Sequence, residues 1–133
     1  PSTSWSARIP MAKLILVIDD GAEQRRFLER TLSAAGYRVV TAPDGESGSA
    51  AARSLLPDLI ILDVMMPGMN GYQVCRTLKA DPATTDRPIL VLTAKDEPTD
   101  HFWAREVGAD DFLTKPVDLP ELIRRIEDLT ERR

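Results

Sequence analysis

Apolar residues in this chain come in short unbroken runs, separated by polar and turn-forming residues. Leu14-Ile15-Leu16-Val17-Ile18 is wholly apolar and rich in β-branched side chains. Leu59-Ile60-Ile61-Leu62 is a second such run, set between Pro57-Asp58 and Pro67-Gly68. Runs of this length between turn signals read as strands buried on both faces. Residues 38–41, 88–92 and 111–113 give three more predicted strands. Between the strands the apolar spacing becomes that of amphipathic helices. The first helix directs Phe27, Leu28, Leu32 and Ala35 to the core and Glu23, Arg25, Arg26, Glu29 and Arg30 to water. Gly36 closes it as a left-handed cap. Further helices are predicted at 46–55, weakened by Gly48-Ser49, at 72–80, burying Val74, Cys75 and Leu78, and at 98–107, capped by Gly108. The last helix opens with Asp118 and Glu121 at capping-box spacing and carries Leu119, Leu122, Ile123, Ile126 and Leu129 on one stripe. Alternation of this kind predicts an α/β fold, a doubly wound parallel sheet.

Length and composition narrow the class. A chain of 133 residues is enough for one domain with a real core. Being 43% hydrophobic and 29% charged, it has the balance of an ordinary globular protein rather than a disordered one. A net charge of −4 argues against non-specific nucleic-acid binding by this chain. No apolar run approaches the roughly 20 residues needed to span a bilayer, so no membrane insertion is expected. A single cysteine, Cys75, cannot form an internal disulfide, and the cytoplasm is the expected compartment. Residues 1–11 lack the basic start and apolar centre of a secretory signal. They read as a linker or leftover segment, with Met11 a candidate start and 12–133 the folded domain.

Four of the predicted strands end in reactive side chains. Asp19-Asp20 follow the first, Asp63 the third, Thr93 the fourth, and Lys115 follows the fifth. Parallel strands bring these ends to one edge of the sheet, where ligands of open α/β sheets bind. Three carboxylates gathered there repel one another unless a cation offsets them or their pKa values rise. Lys115 supplies one positive charge, and a divalent cation would supply the rest. An all-oxygen donor set without His or Cys favours Mg²⁺ over zinc. A carboxylate can attack a phosphoryl group, whose equatorial oxygens then need neutralising. Asp63 is the expected nucleophile, with Mg²⁺ on Asp19 or Asp20 and the Thr93 hydroxyl and Lys115 ammonium taking the phosphoryl oxygens. Taken singly, each residue has a plainer role: Asp20 as a helix N-cap, Thr93 as a strand end, Lys115 as a solvated charge. Coincidence at four strand ends is what weighs for the chemistry.

Four segments carry a family resemblance: Val17-Ile18-Asp19-Asp20, Leu62-Asp63-Val64-Met65-Met66-Pro67-Gly68-Met69-Asn70-Gly71, Leu92-Thr93-Ala94, and Gly108-Ala109-Asp110-Asp111-Phe112-Leu113-Thr114-Lys115-Pro116. In this order and spacing they resemble the receiver domains of two-component response regulators, the CheY-like family. The resemblance implies a flavodoxin-like five-stranded parallel sheet of order 2-1-3-4-5 with five helices. It implies that Asp63 accepts a phosphoryl group from a histidine kinase. It implies Mg²⁺ held by Asp19, Asp20, Asp63 and the Met65 carbonyl, with Thr93 and Lys115 on the phosphoryl oxygens. A cis bond between Lys115 and Pro116 is also implied. Thr93 and Phe112 would form the switch, coupling the site to a face made by the fourth helix, fifth strand and fifth helix, where a downstream protein partner binds. No enzyme activity is implied beyond Mg²⁺-dependent self-phosphorylation and self-dephosphorylation. Gly21 stands where many members carry a polar or acidic residue, and Phe112 lacks the hydroxyl of the commoner tyrosine.

Some expectations go further than the family. On the predicted 98–107 helix, Phe102 and Trp103 fall away from Ala104 and Val107, so an exposed aromatic pair is expected at the partner face. Met65 and Lys95, which the resemblance implies flank the site, predict slow self-hydrolysis of the phosphorylated form, over minutes or longer. The segment around Thr93 to Trp103 is similar to single-domain regulators of twitching-type motility and chemotaxis-like pathways, and no DNA-binding output domain is expected. Two alternatives remain. One is a Mg²⁺-dependent phosphatase with an aspartate nucleophile, although such enzymes carry that nucleophile after the first strand. The other is a receiver used as an unphosphorylated scaffold.

Overall fold

Five parallel strands lie in the order β2-β1-β3-β4-β5. The structure is a computed structural model and describes residues 12–63, 71–93, 106 and 108–131. In chain order the elements are β1 (Leu14–Ile18), α1 (Ala22–Ala34), β2 (Arg38–Ala42), α2 (Gly45–Leu55), β3 (Leu59–Asp63), α3 (Gly71–Ala80), β4 (Ile89–Thr93), β5 (Asp111–Thr114) and α4 (Leu119–Glu131). Of the helix expected at 98–107, only Glu106 is described, and it is helical. Four of the five expected helices are thus described, and the flavodoxin-like sheet order is as expected.

The central strands are apolar up to their last residue, Asp63 in β3 and Thr93 in β4, because both of their faces are covered. Leu16, Ile18, Ile60, Leu62, Ile89 and Val91 join Ala52 of α2 and Cys75 and Leu78 of α3 in one cluster. Their alternates Ile15, Val17, Leu59, Ile61, Leu90 and Leu92 join Leu28 and Leu32 of α1 and Leu122, Ile126 and Leu129 of α4 in the other. Period-two alternation along each strand therefore feeds two cores at once. Burial pushes the Cys75 thiol up to about 12.

Several local expectations need correction. Phe27, expected in the core, is 48% exposed, and Ala35 is exposed as the C-cap of α1. Leu28 and Leu32 suffice to seat that helix. Leu119 is likewise exposed at the start of α4, and Val74 and Ile123 are only half-buried. The weakly patterned α2 is a full helix of 11 residues. Its glycine is used for close approach: a Cβ at Gly48 would lie 2.6 Å from Ile18 Cδ1. Intrinsic propensity loses there to helix–sheet packing. Gly36 and Gly108 both take positive φ, as expected of helix ends. At α4, the Glu121 N–H donates to Asp118 Oδ2 at 3.2 Å. The other half of the capping box is not made, because the Glu121 carboxylate pairs with Arg124 and Arg125 instead.

Candidate functional site

The carboxyl ends of β1, β3, β4 and β5 meet at one edge. Asp19 follows β1, Asp63 is the last residue of β3, Thr93 is the last of β4, and Lys115 follows β5. Asp19, Asp63 and Thr93 are 2%, 4% and 0% exposed. Asp20 is exposed. One carboxylate oxygen from each of Asp19, Asp20 and Asp63 lies within 4.8 Å of the others. Lys115 Nζ donates to Asp63 Oδ2 at 2.9 Å. Its backbone N–H donates to the Thr93 carbonyl at 2.7 Å, so the end of β4 also positions the lysine. The Lys115–Pro116 peptide bond is cis, as the resemblance implied.

Local structure explains how the acids are held. The Asp19 N–H donates to the Ala42 carbonyl at 3.1 Å, extending the β1–β2 pairing by one residue. Asp19 Oδ1 accepts the Gly21 N–H at 2.8 Å. Asp19 Oδ2 is buried and has no hydrogen-bond partner among the described residues. The N-cap of α1 is Gly21, with no side-chain cap, so Asp20 does not serve that helix end. Its plainer role as an N-cap is therefore removed.

Burial raises the Asp19 carboxyl above its ordinary range; the Gly21 N–H opposes the rise, the Asp63 charge adds to it, and Lys115 offsets part. A buried carboxylate with an unpartnered oxygen, beside two further acids, is the environment a hard cation relieves. The cluster offers oxygen only, which suits Mg²⁺ and not zinc. The residues present therefore fit that ion.

Phe112, the expected switch residue, is half-buried on β5 and packs on the core cluster that also holds α2 and α3. Its N–H donates to Asp111 Oδ1 at 2.8 Å. That same oxygen pairs with Arg125 Nη1 at 2.6 Å, and Arg125 Nε pairs with Glu121 at 2.7 Å. Met65, Lys95, Phe102 and Trp103 lie outside the described residues. Arg25 is assigned to solvent by helical periodicity, from its place on the polar face of the helix. It is half-buried, and its Nη1 donates to the Asp19 carbonyl at 2.8 Å. Helical periodicity carries no signal for such a contact, because it joins a helix to the strand end before it.

Comparison with known proteins agrees with this geometry. The family model for the response regulator receiver domain matches residues 15–127. The response regulator PleD of Caulobacter vibrioides is 49% identical over 120 residues, which cover 90% of this chain but only 26% of that protein. Protein PilH of Pseudomonas aeruginosa is 40% identical over 112 residues, covering 84% of this chain and 93% of PilH. The receiver domain of the sensor histidine kinase PA1611 from Pseudomonas aeruginosa PAO1, solved with a magnesium ion coordinated in its active-site cleft, superposes with a TM-score of 0.83. It is 28% identical, over 90% of this chain and 98% of that one. Receiver domains in general hold Mg²⁺ in an acidic site, accept phosphoryl groups rather than turn over substrates, and interact with histidine kinases and downstream effectors. The chain belongs to the response regulator receiver domain family and is a unit of phosphorylation-dependent signalling.

Proposed function

We propose that Asp63 is the phosphoacceptor of a receiver domain spanning residues 12–133. A carboxylate oxygen of Asp63 bonds to phosphorus as the bond from phosphorus to the kinase's histidine nitrogen breaks, and the electron pair leaves with the imidazole. Mg²⁺, held by Asp19, Asp20, Asp63 and the Met65 carbonyl, would neutralise charge on the transferring oxygens. Lys115 and the Thr93 hydroxyl bind the remaining phosphoryl oxygens. Thr93 is fully buried beside β5, with Thr114 opposite it in register, so its displacement would be felt along the strand that carries Phe112. The proposed output surface is the face made by the 98–107 segment, β5 and α4, with Phe102 and Trp103 contributing to it. A downstream protein is the proposed partner there. The cytoplasm is the proposed compartment, and no described helix is long and apolar enough to cross a membrane.

The observation that carries this reading is the pairing of Asp63 with Lys115 inside a cluster that includes an orphaned Asp19 oxygen. Incubation with a small phosphoramidate donor and Mg²⁺, followed by intact mass measurement, tests it. The expected result is a gain of one phosphoryl group that Asp63→Asn and a chelator each abolish. No gain, or a gain that persists in Asp63→Asn, ends the reading. Sustained turnover of a phosphate ester would instead mark a Mg²⁺-dependent phosphatase. The adjacency of Asp19 and Asp20 after β1, with Asp63 two strands away in sequence, speaks against that alternative.

A further inference from the structure

We infer that Arg25 is a positioning residue for the Asp19–Asp20 pair and sets the affinity of the site for its divalent cation, an inference that rests on the Mg²⁺ reading above. Arg25 lies six residues beyond Asp19, in the second turn of α1. Its backbone N–H donates to the Gly21 carbonyl at 2.9 Å, closing a turn of the helix. Its guanidinium reaches back over that turn to the Asp19 carbonyl at 2.8 Å. One residue therefore ties the start of α1 to the end of β1 by both its main chain and its side chain.

The consequence falls on the acids. The Asp19 carbonyl belongs to the peptide group that joins Asp19 to Asp20, and fixing that plane fixes the direction in which Asp20 leaves the strand. Asp19 is held at three further points: its N–H on Ala42, its Oδ1 on Gly21, and its strand to either side. Oδ1 and the carbonyl are both committed, and Oδ2 is the Asp19 oxygen without a partner among the described residues. The planar, always-charged guanidinium suits such a contact, because it holds its donors in a rigid fork. Groups that orient the ligands of a metal, without touching it, typically govern affinity by roughly 10- to 100-fold.

Charge and positioning predict opposite signs here, which makes the inference easy to break. A cation beside a cation site repels the ion, so losing Arg25 through charge alone would tighten Mg²⁺ binding. Loss of a positioning contact would weaken it. The experiment measures Mg²⁺ dissociation constants by isothermal titration calorimetry for the native protein, Arg25→Gln, Arg25→Lys and Arg26→Gln. Melting curves without Mg²⁺ report whether each variant folds. Arg25→Gln is expected to bind on the order of tenfold more weakly than native. Arg25→Lys, which keeps the charge and one donor on a different stem, is expected to fall between the two. Arg26→Gln, the exposed neighbour, is expected to bind no more weakly than native. Unchanged or tighter binding in Arg25→Gln overturns the inference. Should that variant fail to fold, native-strength binding in Arg25→Lys overturns it just as well. If the native protein itself binds no Mg²⁺, the metal reading falls and this inference with it. If only the Arg25 variants match native, the metal reading stands and this inference alone is lost.

Discussion

Asp58 and Asp110 sit at the amino edge of the sheet; Asp19, Asp20 and Asp63 sit at its carboxyl edge. The amino-edge aspartates are bound to the main chain in a repeated pattern. Asp58 Oδ2 accepts the Leu14 N–H at 2.8 Å, and the Asp58 N–H donates to the Leu14 carbonyl at 2.8 Å. Asp110 does the same with Ile89, at 2.8 and 2.9 Å, and also pairs with Lys79 at 2.8 Å. Each clamps the first residue of a neighbouring strand and so fixes parallel register. At the opposite edge, Asp19 keeps a buried oxygen without a partner among the described residues and stands beside two more acids. The same side chain thus stabilises the fold at one edge and works against it at the other. A carboxylate satisfied by backbone donors is structural, whereas one held in an unfavourable field is held for a ligand.

This contrast can be broken in several ways. The largest effect is expected from Asp63→Asn, which should lose the whole phosphoryl gain in intact mass while melting at or above the native temperature. A variant that instead unfolds would make Asp63 structural. Next, Asp110→Ala should cost about 2 kcal/mol in urea unfolding, because it strands the buried Ile89 N–H, yet leave phosphoryl gain intact. Asp19→Asn should do the reverse. Without Mg²⁺ it should gain on the order of 1 kcal/mol by relieving repulsion, and it should lose Mg²⁺ binding in calorimetry.

A pH series sharpens the point. Burial and the Asp63 charge raise the Asp19 carboxyl, so the folded metal-free protein holds that proton more tightly than the unfolded chain does. Its contribution to stability is present in full below the ordinary value of 3.8 and is lost as pH rises through the raised folded value. Unfolding of native protein and Asp19→Asn should therefore diverge as pH rises above the ordinary carboxyl value, with the native protein falling behind. Parallel curves would refute this account of Asp19. The smallest effect belongs to the amino edge. Leu56 takes a left-handed conformation, with φ of 48°, as the C-cap of α2. Leu56→Gly should gain roughly 0.5 kcal/mol in the same unfolding assay, with phosphoryl gain unchanged.

Much of this was legible in the sequence, for physical reasons. Strands buried on both faces need unbroken apolar runs, so β1, β3 and β4 announced themselves, and the residues closing them fell at one edge by topology alone. Asp19, Asp20, Asp63, Thr93 and Lys115 are brought to that edge in this way. Strand ends were less legible: β3 includes Asp63 and β4 includes Thr93, because pairing with neighbours continues past the last apolar residue. Phe27 misled because an aromatic on a helical stripe reads as core, whereas Leu28 and Leu32 already fill that face. Asp58 reads in sequence only as a turn signal and Asp110 carries no role of its own there, since their partners lie 44 and 21 positions away. Arg25 was missed for the related reason that an arginine on a polar face is usually solvated.

Cys75 has a practical consequence. It is the sole cysteine of the chain, it is packed between α3 and the sheet, and its thiol is held to about 12. At neutral pH it stays protonated and shielded, so maleimide reagents will pass it over. A cysteine introduced at an exposed position such as Glu29 or Glu127 would then take a fluorophore or spin label selectively, with the native sulfur left in place.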